Sequence, residues 1–224
     1  MNITVLGATG RTGREVVRQA LARGHHVTAV ARDPSSLALD GERLRGVAGD
    51  VRNPSSLSLD GQRLRGVAGE VRNPESMTRA LAGAETIVSA LGVAEGERPG
   101  VLTDGARAVV ASGAGRVVWL GAFGTGPSAA AAGRLTRTML KAMAARLPDK
   151  VEADAAILAF GGTVFHAGPL STGPLSPAYR AAGLAEAPRR LFPARVSRAT
   201  VAAAMLDEAE APRFAGQVAL PLER

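Results

Sequence analysis

Short apolar runs alternate with amphipathic segments along this chain. The run at residues 2–8, "NITVLGA", is apolar and β-branched, which predicts a buried strand, and residues 13–24 carry apolar positions at helical spacing. The same alternation recurs in the later strand-like runs, which read "HVTAVARD", "ETIVSALG", "RVVWLGAFG", "TVFHAGPL" and "GQVALPL". Alternating strands and helices predict an α/β fold, with a doubly wound parallel sheet covered by helices on both faces.

A tandem repeat interrupts this pattern. Residues 35–54 and 55–74 are the same twenty-residue segment twice, and the copies differ only at Ala38/Ser58, Glu42/Gln62 and Asp50/Glu70. Two copies are too few for a solenoid, so we predict a duplication inside one domain that spans residues 1–224. The second strand-like run could add an extra edge strand to the sheet, or one copy could loop out. We predict that the first copy pairs with the second strand.

Composition narrows the class of protein. The chain has 224 residues, 46% of them hydrophobic, and no cysteine, which fits one buried core and excludes disulfides and thiolate metal sites. No spacing of His or carboxylates suggests any other metal site. The N-terminal run lacks a basic segment and no apolar stretch reaches the roughly 18 residues of a membrane span. We therefore expect a cytoplasmic protein without a membrane partner.

The net charge of +7 raises the possibility of an anionic partner. However, the basic residues are scattered arginines, with Lys141 and Lys150 as the only lysines, and aromatic residues make up 3% of the chain. Few rings are therefore available for stacking on bases. We predict no nucleic-acid partner and a small-molecule acceptor substrate instead.

The segment "LGATGRTG" follows the first strand and opens the first helix. Its glycines, Gly7, Gly10 and Gly13, allow a tight turn and close approach of the backbone to a phosphate. The helix N-terminus then offers free N–H groups to a pyrophosphate. This context indicates a Rossmann-type dinucleotide site.

The second strand ends in Arg32, where Rossmann proteins that use NAD place an acidic residue for the ribose. A guanidinium suits a 2′-phosphate, and Arg11 in the loop could face the same group. Both features favour NADP(H) as the cofactor. Asp33, one residue further on, could serve a ribose hydroxyl and leaves the alternative open.

The segments "GATGRTG", "VTAVARDPSSL", "NPESMTRALAGAETIVSALG", "RVVWLGAFGTG" and "HAGPLSTGP" together resemble the atypical short-chain dehydrogenases. The similarity is to the NmrA-like and biliverdin reductase B/flavin reductase-like NAD(P)-binding proteins. The resemblance implies a Rossmann fold with NADP(H) across the carboxyl ends of the strands. It implies phosphate contacts from Gly7, Thr9, Gly10, Arg11, Thr12 and Gly13, a 2′-phosphate contact from Arg32, and adenine contacts from Asp50 and Val51. It further implies ribose and nicotinamide contacts from Ala90, Leu91, Gly92, Gly121, Ala122 and Phe123, with residues 166–170 closing over the ring.

The chain departs from the dehydrogenase pattern in its catalytic residues. Those enzymes use a Ser, a Tyr and a Lys, and only the lysine, Lys150, has a counterpart here, because Arg146 stands at the Tyr position. Tyr179 lies in a proline-rich segment that predicts a loop. His166 is a second candidate proton donor, although it could simply pack beside the cofactor.

The resemblance implies a reductase of a flavin, a quinone or a similar conjugated acceptor, for which the cofactor supplies the hydride chemistry. The alternatives are a catalytically silent NADP(H)-binding regulator, and a scaffold whose site the insertion has spoiled.

Overall fold

The computed structural model describes residues 1–33, 64–93, 96–133, 147–186 and 194–223. The first half contains β1 (Asn2–Leu6), α1 (Arg11–Ala22), β2 (His26–Ala31), β3 (Leu64–Ala68), α2 (Pro74–Ala80), β4 (Thr86–Ser89) and α3 (Val101–Ala111). The second half contains β5 (Arg116–Ala122), α4 (Leu147–Ala159), β6 (Thr163–Ala167), β7 (Leu170–Ser171), β8 (Tyr179–Gly183), β9 (Val196–Ser197), α5 (Arg198–Glu210) and β10 (Val218–Glu223). Short 3₁₀ helices occupy Gly126–Ala129 and Leu184–Glu186.

Eight of these strands form one sheet in the order β3-β2-β1-β4-β5-β6-β10-β8, and β7 pairs with β9 apart from it. Neighbouring strands of the large sheet are parallel, except that β8 runs antiparallel to β10. The chain winds outward from β1 in one direction and from β4 in the other. This arrangement confirms the Rossmann-type sheet, and it places a crevice between β1 and β4, where such folds bind ligands.

The third strand comes from the second copy of the repeat. Leu64–Ala68 pairs with β2 in the register Val27↔Leu64 to Ala31↔Ala68, and β1 occupies the other side of β2. Our prediction that the first copy pairs with the second strand is therefore wrong. Residues 34–63 lie outside the described residues, as does the predicted extra edge strand.

The packing of α2 explains why the second copy takes this place. Only five residues, 69–73, separate β3 from α2, so the strand and the helix fold onto each other as a local unit. A Cβ at Gly69 would lie 2.5 Å from Val30 Cγ1 and 3.3 Å from both Ala80 Cβ and Met77 Sδ. The strand end therefore packs tightly against both the helix and β2, and the side chain of Asn73 caps α2 by accepting from Ser76 N at 3.0 Å.

Tyr179 begins a strand, so the predicted loop there is wrong. The strand β8 pairs with β10 from Glu223↔Tyr179 to Ala219↔Gly183, and the Tyr179 hydroxyl donates to Asp207 Oδ2 at 2.8 Å. Pairing with the last strand supplies the backbone partners that a proline-rich segment does not signal by itself. The helix predicted for residues 133–147 falls mostly on residues 134–146, outside the described residues.

Two apolar layers cover the sheet. One face packs against α1 and α5, with Val16, Val17, Val201 and Met205 fully buried, and the other packs against α2, α3 and α4, with Met77, Leu102 and Ile157 buried. This confirms helices on both faces. Among the described residues no helix is both long enough and apolar enough to span a bilayer.

The carboxylate of Asp149 joins α4 to the N-terminus of α3. It accepts from Leu102 N at 3.2 Å, Thr103 N at 2.9 Å and Thr103 Oγ1 at 2.8 Å. Burial acts to raise the pKa of Asp149, but these hydrogen bonds outweigh burial and hold the pKa below its usual value. A cap borrowed from a neighbouring helix thus fixes the position of Lys150, the next residue.

Candidate functional site

A cleft of about 860 Å³ opens at the carboxyl ends of the parallel strands. It is lined by the residues that follow β1, β2, β3, β4, β5 and β6, together with residues from α1, α3, α4 and α5. The sequence-predicted site residues that line it are Gly7, Thr9, Gly10, Arg11, Thr12, Arg32, Ala90, Leu91, Gly92, Gly121, Ala122 and Lys150. The fold therefore brings together, in one crevice, residues that are up to 143 positions apart (150 − 7) in the chain.

The glycine loop is a turn that side chains would block. Gly7 adopts φ +69°, and a Cβ there would lie 2.8 Å from Ala90 O. A Cβ at Gly13 would lie 2.0 Å from Gly7 O, so Gly13 does not line the cleft but lets α1 begin directly beneath the turn. Gly10 N closes this turn by donating to Gly7 O at 3.0 Å.

The N-terminus of α1 is open toward the cleft. Its N-cap residue is Gly10, which has no side chain to satisfy the first amides, and the first turn carries no acidic residue. Arg14 Nε donates to Thr9 O at 3.0 Å and holds the loop in shape. Together with Arg11, this end of the helix offers N–H groups and positive charge to an anion. These features fit a dinucleotide pyrophosphate.

Arg32 lies at the end of β2 with its side chain 63% exposed, and its guanidinium faces a carboxylate across the cleft mouth. Arg32 Nη1 lies 3.3 Å from Glu97 Oε2, and Glu97 Oε1 lies 3.6 Å from Arg72 Nε. Glu97 lines the cleft as well, whereas Asp33 is not among the lining residues. An incoming 2′-phosphate would therefore exchange with Glu97 for the same guanidinium.

The adenine side of the cleft is built by the second copy of the repeat. Gly69, Glu70 and Val71 line it where β3 ends. They are the counterparts of Gly49, Asp50 and Val51 in the first copy. Asp50 and Val51, which the resemblance implied as adenine contacts, lie outside the described residues. Glu70 was missed because its copy departs from the family pattern at this position.

The nicotinamide side is lined by small residues. Gly121 and Ala122 end β5, and Ala167, Gly168 and Leu170 follow β6, in agreement with the closing segment that the resemblance implied. Phe123 is not among the lining residues, and its N–H donates to Ala167 O at 2.8 Å. Phe123 therefore joins the two strand ends.

Lys150 on α4 is the one predicted catalytic side chain that lines the cleft. Burial lowers the pKa of its ammonium, against the attraction of Asp154 and Asp149. A lysine with a lowered pKa can release a proton more readily than an exposed one. Arg146 lies outside the described residues, and Tyr179 is on β8, not among the lining residues.

His166 does not line the cleft, because it is buried behind it. Its Nδ1 lies 2.6 Å from Ser128 Oγ and its Nε2 lies 3.2 Å from Asp154 Oδ2. The exposed fractions of the His166 and Asp154 side chains are 0% and 1%. Sequence reasoning missed Ser128 and Asp154, although the spacing of Lys150 and Asp154, four residues apart on one helix, could have drawn attention to Asp154.

Comparisons with known proteins agree with this site. The model of a protein family described as NAD(P)H-binding matches residues 7–59 and 47–212. The two matched segments overlap at residues 47–59, within the repeat. The 4-hydroxy-tetrahydrodipicolinate reductase of Natronomonas pharaonis is 57% identical over 37 residues, which are 16% of this chain and 15% of that protein. The match therefore spans only about 15% of the length of the curated relative.

Solved structures share the fold. The anaerobilin reductase ChuY from Escherichia coli O157:H7 has 19% identity and a TM-score of 0.72, covering 100% of this chain and 97% of its own. A short-chain dehydrogenase/reductase from Veillonella parvula in complex with NADP has 17% identity and a TM-score of 0.74, covering 99% and 94%. A candidate NADH-flavin reductase from Streptococcus pneumoniae has 18% identity and a TM-score of 0.72, covering all of both chains. At these identities the likeness shows the fold.

Proposed function

Because the chain belongs to the NAD(P)H-binding family, we propose that it is an NADPH-dependent reductase that delivers hydride to a flavin, a quinone or a similar conjugated acceptor. One observation carries the proposal: the cleft joins a phosphate-binding glycine loop, a guanidinium at the 2′-phosphate position and a buried-side lysine in one crevice. Neighbours named as reductases of an anaerobilin and of a flavin support the acceptor class. NADP in the Veillonella parvula structure supports the cofactor.

The residues present fit the dinucleotide. The turn at Gly7 and Gly10 and the open N-terminus of α1 would hold the pyrophosphate, and Arg11 and Arg32 would hold the 2′-phosphate. When bound, the nicotinamide supplies the hydride. The small residues that line the opposite end of the cleft leave room for two flat rings, one of them the acceptor.

Lys150 would complete the reduction by supplying a proton. A conjugated acceptor that takes up hydride gains negative charge on a nitrogen or oxygen, and the N–H bond of the ammonium breaks as the new N–H or O–H bond forms. Burial beside the cleft lowers the pKa of Lys150, which assists this transfer. Small side chains at the strand ends keep water from filling the space beside the ring.

Cofactor binding is tested by titrating the protein with NADPH and NADH and following cofactor fluorescence. We expect tighter binding of NADPH, and a roughly ten- to hundredfold loss for Arg32→Ala, because a charge-assisted hydrogen bond is worth about 1.5–3 kcal/mol. Arg107→Ala is the matched control, since Arg107 is 68% exposed and also pairs with a glutamate, Glu152, but does not line the cleft. Equal affinity for both cofactors, unchanged in Arg32→Ala, would contradict the assignment.

Turnover is tested by following NADPH oxidation with flavins and quinones as acceptors. We expect Lys150→Met to lower kcat at least tenfold while the NADPH dissociation constant changes little. Oxidation that Lys150→Met does not slow would remove the lysine from the mechanism.

One observation favours a second candidate function, a catalytically silent NADP(H)-binding regulator. The single tyrosine of the sequence lies on β8, bonded to Asp207, so it cannot serve as the proton donor that dehydrogenases use. Tight binding of NADPH without oxidation by any acceptor tried would favour this candidate over the reductase.

A further inference from the structure

We propose that Asp154, His166 and Ser128 form a buried proton-holding array that resupplies Lys150 with the proton it delivers to the acceptor. The proposal rests on the reductase function for its role in turnover, but the array itself is a property of the cofactor-free protein. The three residues are positioning residues, because they act through Lys150 and do not touch the acceptor.

The array is assembled from three elements and closed to solvent. Asp154 lies on α4, His166 on β6, and Ser128 in the 3₁₀ helix that follows β5. The side chains of Asp154 and His166 are 1% and 0% exposed, and Ser128 is also fully buried. Titratable groups placed in a dry interior are costly unless they are paired, and here the pairing runs in a line from Asp154 to Ser128.

The hydroxyl of Ser128 has two possible acceptors for its one proton. Ser128 Oγ accepts from Gly124 N at 2.8 Å, and it lies 3.0 Å from Thr125 O and 2.6 Å from His166 Nδ1. If the hydroxyl donates to Nδ1, then Nε2–H donates to an ionised Asp154. If it donates to Thr125 O, then Nδ1–H donates to Ser128 instead.

The second arrangement holds one proton more than the first. With a proton already on Nδ1, the 3.2 Å contact between Nε2 and Asp154 Oδ2 still needs a proton, carried by either atom. Every hydrogen bond of the line is kept in both arrangements. Rotation of one hydroxyl thus lets the array take up or release one proton without breaking its packing.

Asp154 connects this line to the cleft. It lies four residues after Lys150 on α4, so both side chains project from one face of the helix. Asp154 Oδ1 is buried, and the structure gives it no hydrogen-bond partner, which leaves it as an acceptor toward the attracting ammonium of Lys150. The charged groups that face Lys150 among the described residues are Asp154 and Asp149, both on α4.

The backbone of Gly121 is what separates the array from the cleft. A Cβ at Gly121 would lie 2.7 Å from His166 Cδ2 and 2.8 Å from Asp154 Oδ2, and Gly121 itself lines the cleft. The imidazole and the carboxylate therefore occupy the space into which a side chain at this strand end would project. The dehydrogenases that the chain resembles carry their serine at the end of this strand, whereas here the buried pair takes that space.

The proton balance of the step is simple. An N–H bond of Lys150 breaks as the reduced acceptor forms its new N–H or O–H bond. The additional proton of the array then leaves Asp154 or His166 and forms a new N–H bond on Lys150 Nζ, while the Ser128 hydroxyl turns from Thr125 O to His166 Nδ1. Water in the open cleft restores the proton through Lys150 after the product leaves.

The first test is made on the cofactor-free protein, labelled with ¹⁵N in its histidines. Nitrogen chemical shifts report which ring nitrogen of His166 carries a proton, and His25 and His26, in the turn before β2, serve as internal references. Lys150→Met should shift the His166 nitrogens although Lys150 is not hydrogen-bonded to the ring, and the shift should vanish in an Asp154→Asn background. No response of His166 to Lys150→Met would overturn the array.

The second test measures turnover. Asp154→Asn and Ser128→Ala should each lower kcat for NADPH oxidation at least tenfold and leave the NADPH dissociation constant within about twofold, which also verifies that the variants fold. Glu152→Gln is the matched control, because it removes an exposed carboxylate from the same helix. Wild-type kcat in Asp154→Asn would overturn the delivery role.

The two tests separate this inference from the reductase proposal. If no acceptor is reduced, the reductase fails, and the nitrogen shifts alone decide whether the array responds to Lys150. If Asp154→Asn does not fold, Ser128→Ala and Lys150→Met still give both readouts, and normal turnover in Ser128→Ala would count against the array.

Discussion

Replacing Asp149 should measure how firmly α3 and α4 are held together beside the cleft. Its carboxylate accepts from two backbone amides and one hydroxyl at the start of α3. Losing an N-cap costs about 0.5–2 kcal/mol, and hydrogen bonds to a charged group are worth about 1.5–3 kcal/mol. Because these contributions overlap, we expect Asp149→Ala to lower the free energy of unfolding by about 3 kcal/mol. Asp149→Asn, which keeps one acceptor oxygen, should cost about 1 kcal/mol.

The effect should depend on pH in a defined direction. The folded-state pKa of Asp149 lies below its unfolded value because of the hydrogen bonds from Thr103 and Leu102. The stabilisation is therefore fully present above the unfolded-state pKa of about 3.9 and is lost as the pH falls through the folded value. The gap in stability between the wild type and Asp149→Asn should accordingly narrow as the pH falls below about 4.

Urea unfolding followed by circular dichroism, from pH 7 down to pH 3, measures both quantities. Asp104→Ala is the control, because Asp104 lies in the same turn of α3 but pairs with Arg72 and Arg107 at 3.8 and 3.9 Å. Such exposed pairs are worth about 0.5 kcal/mol. A loss for Asp149→Ala as small as that for Asp104→Ala, or a gap that widens in acid, would refute the reasoning.

Three further substitutions address the loop, the cofactor preference and the repeat. Gly13→Ala should abolish detectable NADPH binding in the fluorescence titration, since its Cβ would lie 2.0 Å from a carbonyl oxygen of the loop; unchanged affinity would contradict the loop geometry. Glu97→Gln should tighten NADPH binding severalfold and NADH binding less, because it frees the guanidinium that ends β2, whereas Glu186→Gln, which removes a carboxylate from another exposed ion pair, should change neither. Val67→Asp should lower the free energy of unfolding by about 3 kcal/mol in urea, because it buries an unpaired charge on β3, and an equal loss for Val47→Asp would contradict the assignment of β3 to the second copy.

The parts of the site that the sequence predicts are those whose chemistry lies within a few residues of a strand end. The glycine turn and Arg32 each follow a recognisable strand, so position along the chain is enough to assign them to one edge of the sheet. The buried array is different, because Ser128, Asp154 and His166 come from three elements and meet only after folding. Nothing in the local pattern around Ser128 distinguishes it from an ordinary turn serine.

The choice between the copies could not be read from the sequence for a related reason. Both copies carry the same apolar run, "LRGVAG", so hydrophobic burial does not distinguish them. What distinguishes them is connection: only the second copy leads directly into α2, whose Met77 and Ala80 pack against the strand end at Gly69. Closing a short connection costs less entropy than closing one that is twenty residues longer.

This choice has a consequence for the cofactor edge. The copies differ at Asp50 and Glu70, and the copy that forms β3 places Glu70 on the cleft wall. Glu70 and Glu97 then both line the cleft that Arg32 enters, so two carboxylates stand in the region where a 2′-phosphate would bind. Like charges in a partly enclosed cleft repel, while a ribose with free hydroxyls can donate to a carboxylate. The duplication therefore acts on cofactor preference through the one position near the cleft at which its copies differ, and it shifts that preference toward NADH by adding a carboxylate with a longer reach than the aspartate of the other copy.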